Sequence, residues 1–149
     1  MTALALESGY WNSLGHGVGA IALYALLGLA LMIVGFYAID LTTPGKLGEL
    51  IRAGRPNATV VTAAGMLSMA FIVVLAIYAS SGRLAEGLIA AAVYGLVGIF
   101  AQVLSVRVIE RVTRIDIGAV LDSPGFVPEV LVVAAAHFAV GMVVAFAIL

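Results

Sequence analysis

The sequence has 149 residues, of which 64% are hydrophobic and 10% are charged, and its formal net charge is −1. A soluble domain has roughly 45–50% apolar and about 25% charged residues, so this composition is typical of a chain that lies mostly in lipid. The near-neutral charge excludes the basic field that a nucleic-acid partner needs, and the lack of cysteine excludes disulfides and thiolate chemistry. The length indicates a single domain over residues 1–149.

Uncharged apolar stretches make up most of the chain, at about residues 18–39, 58–79, 88–106 and 130–149. Each is close to the ~20 residues that a helix needs to cross a bilayer. The sequence therefore predicts an all-α, polytopic membrane protein with four transmembrane helices. The segment before the first stretch has no Lys or Arg, and the stretch exceeds the apolar core of a secretory signal, so we expect a retained helix.

The first loop predicts a short amphipathic helix on the membrane surface. Thr43 precedes Pro44, a pair typical of a helix start, because the hydroxyl caps free N–H groups and proline has none to lose. Apolar residues then recur at helical spacing: Leu47, Leu50 and Ile51. The alternative is a polar connector in which this spacing arises by chance. In the third loop, we expect the third transmembrane helix to continue past the membrane in residues 107–116, and residues 123–128 to break the chain before the last span.

The two halves of the chain match weakly at an offset of 71 residues. Residues 60–64 align with residues 131–135, and Leu50 aligns with Leu121. This match predicts two parallel two-helix repeats related by an axis along the membrane normal. The alternative is chance, because apolar segments use few residue types.

The distribution of basic residues predicts the orientation. Six of the seven Lys and Arg residues lie in the first and third loops, residues 40–57 and 107–129, whereas the second loop has only Arg83. Basic loops stay in the cytoplasm, so we expect these two loops to be cytoplasmic and both termini to lie outside.

Small residues predict where the helices meet, because in lipid they allow two backbones to approach closely. Each long stretch has small residues at helical spacing, and the glycines we expect at helix contacts are Gly28, Gly35, Gly95, Gly98 and Gly141. A four-helix bundle has little interior. We therefore expect some of these faces to contact a second copy or another membrane subunit, with membrane lipids around the rest.

Polar residues at membrane depth are costly and indicate either function or helix contacts. Asp40, Gln102 and His137 are expected in the inner third of the bundle. They suggest a proton-linked or cation-binding site, since histidine titrates near neutral pH. The favoured alternative is one interhelical hydrogen bond between Gln102 and His137, worth about 0.6–2 kcal/mol. No nucleophile, paired carboxylates or metal-ligand set is evident, so we expect no enzymatic activity and no cofactor.

The first loop and its flanks carry a family resemblance, in the segments 36–44, 49–51 and 57–58 and at Gly65. They resemble the YjfL-like family, known as domain of unknown function 350, which has a Thr-Pro element after its first helix and Asn-Ala before its second. The recognisable positions are Asp40, Thr43, Pro44, Asn57 and Gly65. The resemblance implies a bacterial plasma-membrane protein and assigns no reaction.

These observations leave two functions open. The first is a non-enzymatic oligomeric or accessory subunit of a membrane complex, whose cytoplasmic loops contact a partner. The second is a small channel or carrier for protons or small cations that uses Asp40, Gln102 and His137.

Overall fold

The computed structural model describes residues 9–43, 45–79 and 83–149, and all regular structure in these residues is helical. The helices are α1 (Tyr10–Thr42), α2 (Leu47–Arg52), α3 (Pro56–Ala79), α4 (Leu84–Thr113), α5 (Ile117–Asp122) and α6 (Val130–Ala147). Among the described residues, α1, α3, α4 and α6 are long and apolar enough to cross a membrane. The predicted all-α fold with four membrane-spanning helices is confirmed.

Two of the long helices extend well beyond their apolar stretches. The 33 residues of α1 and the 30 residues of α4 correspond to about 50 and 45 Å, compared with the ~30 Å of a hydrocarbon core. The apolar stretches mark where lipid is expected, whereas a helix ends where its backbone conformation changes. That change comes at Arg114, whose φ of 57° lies in the left-handed region and ends α4.

The chain alternates in direction through the bundle, so α1 and α4 run one way while α3 and α6 run the other. Helix α3 is central and packs against each of the other helices, and both α1 and α6 pack against α3 and α4. The short helices α2 and α5 lie in the connections at one end of the bundle, which we call the capped end.

The two short helices insert their apolar faces into the capped end. Leu47 of α2 and Ile117 and Leu121 of α5 are buried in one cluster with residues of α1, α3 and α6. Burying these side chains removes them from water and fixes both short helices to the bundle. Helix α2 therefore packs on protein through this face instead of lying free on the membrane surface.

The predicted helix start in the first loop was wrong. Helix α2 begins at Leu47, and its N-cap residue, Lys46, makes no side-chain capping bond. Thr43 is instead the C-cap residue of α1: its backbone N–H donates the last helical bond, to the Ile39 carbonyl oxygen, and its extended backbone (ψ 134°) ends the helix. Pro44 lies outside the described residues.

Helix α5, which has six residues like α2, was not predicted. Its start has one local signal: the Asp116 carboxylate accepts a hydrogen bond from the Ala119 N–H at 3.0 Å, the usual role of an N-cap residue. Both halves of the chain thus have the order long helix, short helix, long helix. This order is compatible with the repeat at 71 residues, which stays a prediction.

Candidate functional site

A serine in α3 joins three transmembrane helices through hydrogen bonds. The Ser68 hydroxyl donates to the His137 carbonyl oxygen of α6 at 2.8 Å and accepts a hydrogen bond from the Gln102 amide nitrogen of α4. All three residues are buried. Ser68 lies about 18 Å along α3 from Pro56, near the middle of this 24-residue helix. We call Ser68, Gln102 and His137 the Ser68 junction.

The junction differs from the expected grouping of polar residues. Gln102 and His137 do come together, but they meet through Ser68 and near the middle of α3. The Gln102 Oε1 and His137 Nδ1 atoms are buried and have no hydrogen-bond partner among the described residues, so these two atoms do not bond each other. The half-buried Asp40 carboxylate accepts from the Gly48 N–H at 3.4 Å and so connects α1 to α2.

Sequence reasoning missed Ser68 because serine is small and uncharged and resembles its alanine and glycine neighbours in an apolar stretch. One signal was available: Asn57, Val61, Gly65 and Ser68 follow helical spacing, and all four are buried on one face of α3. A polar residue on the same face as glycine is expected to contact another helix.

Glycine 141 allows α6 to approach the junction. A Cβ atom on Gly141 would overlap the Ser68 hydroxyl and lie 3.0 Å from the Ser68 Cα atom. The other predicted contact glycines also lie beside side chains of neighbouring helices. The pairs are Gly28 with Val73, Gly35 with Met69, Gly95 with Leu31, and Gly98 with Ile72.

Asn57 fixes the connection between α5 and α6 to the start of α3. Its side-chain amide donates to the Val120 carbonyl at 2.9 Å and to the Gly125 carbonyl at 2.8 Å. Its Oδ1 atom accepts from the Val127 N–H at 3.1 Å. Asn57 itself is fully buried, so these bonds satisfy the polar atoms of its side chain, which water does not reach. The capped end is therefore held by a specific polar contact as well as by its apolar cluster.

A groove runs between α2 and α5 on the outside of the capped end. It has a volume of about 400 Å³, and its lining residues are Gly45, Lys46, Glu49, Leu50, Gly118 and Asp122. Lys46 and Glu49 form an exposed ion pair at 3.0 Å, and Asp122 lies 3.5 Å from Arg55. The groove thus combines both signs of charge with one apolar side chain. Within the described ranges, no group of His, Cys, Asp and Glu residues is arranged to hold a metal ion.

Four apolar spans, a buried polar junction and a folded cap define a small multi-pass membrane protein. The family model described as Domain of Unknown Function (DUF350) matches residues 13–148, and the chain belongs to this family. The predicted family is therefore confirmed.

Relatives in mycobacteria support the membrane assignment. The chain is 40% identical to a UPF0719 transmembrane protein of Mycobacterium bovis over 134 residues, which are 89% of this chain and 88% of the relative. The same values hold for a UPF0719 transmembrane protein of Mycobacterium tuberculosis. A UPF0719 transmembrane protein of Mycolicibacterium paratuberculosis is 36% identical over 138 residues, 92% of this chain and 91% of the relative. No solved structure matches the chain.

Proposed function

We propose that this protein is a non-enzymatic accessory subunit of a membrane complex and that its capped end binds a partner. The observation that carries the proposal is a contrast between two polar regions. The Ser68 junction is closed by direct contacts, and its three residues are at most 1% exposed. The groove between α2 and α5 is open and presents Lys46, Glu49 and Asp122. A partner therefore has polar groups to contact only at the second of these two regions.

The ionic groups near the capped end support a binding role. Lys46 pairs with Glu49, Arg55 with Asp122 and Arg107 with Glu110, while Asp116 caps α5. These side chains present both signs of charge on one surface. A mixed-charge surface gives specificity for a partner of complementary charge.

The orientation we propose places this surface in the cytoplasm. Six of the seven basic residues lie at the capped end or in its connections, as the rule for cytoplasmic loops requires: Lys46, Arg52, Arg55, Arg107, Arg111 and Arg114. The partner is then a second copy of this chain or another subunit that presents a polar cytoplasmic segment.

The experiment uses the absence of native cysteine, which makes any introduced thiol unique. Glu49→Cys places a thiol in the groove, and Ser13→Cys places one on the exposed start of α1 as the matched control. We expect a thiol-reactive photo-crosslinker in native membranes to join the Glu49→Cys variant to a discrete partner and to leave the Ser13→Cys variant unjoined. The mass of the adduct distinguishes a second copy from another subunit. A lone monomer in mild detergent, with no adduct from Glu49→Cys, contradicts the proposal.

A proton or cation carrier is the second candidate. One observation favours it: Gln102 Oε1 and His137 Nδ1 are buried polar atoms without partners among the described residues. Asp40, the carboxylate expected to contribute, instead bonds the Gly48 N–H at the capped end. Flux of protons and K⁺ into liposomes with wild-type protein or His137→Ala tests this candidate. Equal flux for both proteins, no greater than for empty liposomes, rules the carrier out.

A further inference from the structure

A lipid-facing cleft between α1 and α3 has walls that include the methionine side chains of Met32 and Met66. Its outer part has a volume of about 330 Å³, and its inner part has about 10 Å³, which is room for about one water-sized group. Both parts are lined by Met32, Phe36 and Met66, so the two parts adjoin each other at these side chains. Methionine side chains are flexible and polarizable, and they are common where a protein binds apolar ligands of variable shape.

The inner part of the cleft ends at polar atoms that lack partners. The Thr62 hydroxyl lines it, is buried, and has no hydrogen-bond partner among the described residues. Gly65 also lines it, and the unpartnered His137 Nδ1 atom lies 3.9 Å from the point where a Cβ on Gly65 would be. Buried polar atoms are nearly always hydrogen-bonded, so the Thr62 hydroxyl, which lines the cleft, indicates a ligand with a polar group at this end.

The walls restrict what this ligand can be. Among the described residues that line the two parts, none is charged, so the polar group of the ligand is uncharged. The inner end is also narrow, because a Cβ on Gly35 would lie 2.9 Å from Met69 Cε and one on Gly65 would lie 3.1 Å from Ile39 Cδ1. A phospholipid headgroup is too large and too charged for this end, whereas a single hydroxyl group fits its size and chemistry.

We propose that this cleft binds an uncharged, single-chain lipid with a terminal hydroxyl, a long-chain alcohol. The hydroxyl bonds Thr62 at the inner end, beside His137, and the chain lies along Met32 and Met66 towards the bilayer. This inference does not depend on the proposed partner site, because the cleft shares no lining residue with the groove between α2 and α5.

The test is photoaffinity labelling of the full-length protein in liposomes, with hexadecanol that carries a diazirine in its chain as the probe. We expect peptides that contain Met32 and Met66 to be labelled above the lipid-facing surface of α4 at Val93 and Val97. Unlabelled hexadecanol should compete, whereas hexadecane and palmitate should not. Thr62→Val removes the hydroxyl at constant shape and should reduce labelling about 3- to 10-fold, the usual effect of one hydrogen bond.

Two further variants make the labelling result decisive. Thr59→Val changes an exposed threonine one turn earlier on α3 and should label like wild type. Ile33→Trp fills the outer part from an exposed position without touching the buried core and should also reduce labelling. Equal labelling of the α4 surface, equal labelling of Thr62→Val and Thr59→Val, or competition by palmitate as strong as by hexadecanol overturns the proposal.

Discussion

At the scale of single residues, one hydroxyl group joins three of the transmembrane helices through hydrogen bonds. Ser68 both donates to α6 and accepts from α4, so a single small side chain satisfies groups on two neighbouring helices. Lipid offers no alternative partner for these groups, and losing the hydroxyl leaves the Gln102 amide nitrogen buried without an acceptor. Ser68 therefore stabilises the bundle in two ways: its hydroxyl donates a bond to α6, and it gives the buried Gln102 amide an acceptor.

Ser68→Ala should lower the free energy of unfolding by about 1–2 kcal/mol, the range for interhelical hydrogen bonds in membrane proteins. Unfolding by SDS titration in mixed micelles measures the change. Ser105→Ala is the matched control, because the Ser105 hydroxyl only bonds the carbonyl of Gln102 on its own helix. We expect the control to change stability by less than half as much. Equal effects of the two variants would show that the junction adds nothing specific.

Gly141→Ala should be more damaging than Ser68→Ala. The new methyl group would overlap the Ser68 hydroxyl and press on the α3 backbone, so α6 must move away from α3. Overpacking of this kind costs about 1–3 kcal/mol, measured in the same titration. The double variant Gly141→Ala with Ser68→Gly should recover part of the loss. Gly17→Ala is the control, since nothing lies within 4 Å of a Cβ there, and its stability should not fall.

At the scale of secondary-structure elements, the sequence predicted the four spans, which length and hydrophobicity determine. It missed α5 and the start of α2, which depend on a few specific contacts. The four spans were predicted because an apolar stretch of this length has few other stable arrangements. Helix α5 was missed because its six residues are stabilised by the burial of Ile117 and Leu121 in the bundle. The start of α2 was misplaced because Thr43 is used to end α1. A single capping residue does not reveal whether it ends the helix before it or starts the helix after it.

The polar site was predicted only in part, because some of its contacts depend on how distant segments pack. Gln102 and His137 were identified because large polar side chains are rare in apolar stretches and therefore conspicuous. Their common partner, Ser68, and the groove between α2 and α5 depend on the relative positions of helices distant in the sequence. Residues 68 and 137 meet across 69 positions of chain, and no single segment carries that information.

Asn57 provides a test of how the cap is attached. Asn57→Ala removes three hydrogen bonds to the segment 120–127, so we expect α5 and the following connection to detach from α3. Hydrogen exchange measured by mass spectrometry should become at least tenfold faster in residues 115–129 and stay unchanged in the central part of α3. Thr59→Ala, whose hydroxyl bonds only the Arg55 carbonyl on the same helix, is the control. Unchanged exchange in residues 115–129 would mean that the apolar cluster alone holds the cap.

At the scale of the whole molecule, the two ends of the bundle have different chemistry. The capped end has two short helices, the buried and hydrogen-bonded Asn57 side chain, and most of the basic residues. The opposite end has the start of α1, where Tyr10 and Trp11 are exposed and form an edge-to-face pair. Aromatic side chains of this kind favour the interface between lipid and water. The orientation proposed from the basic residues stays a prediction, which cysteine labelling can test.

We expect a cysteine at the capped end to be protected from a membrane-impermeant maleimide in sealed right-side-out vesicles, and one at the opposite end to be labelled. Ala53→Cys and Ser13→Cys are suitable because both positions are exposed and the chain has no other cysteine. Ala53→Cys should react only after detergent opens the vesicles, whereas Ser13→Cys should react at once. Labelling after detergent is the control for thiol reactivity. The reverse pattern would place the groove between α2 and α5 outside the cell, where a cytoplasmic partner has no access to it.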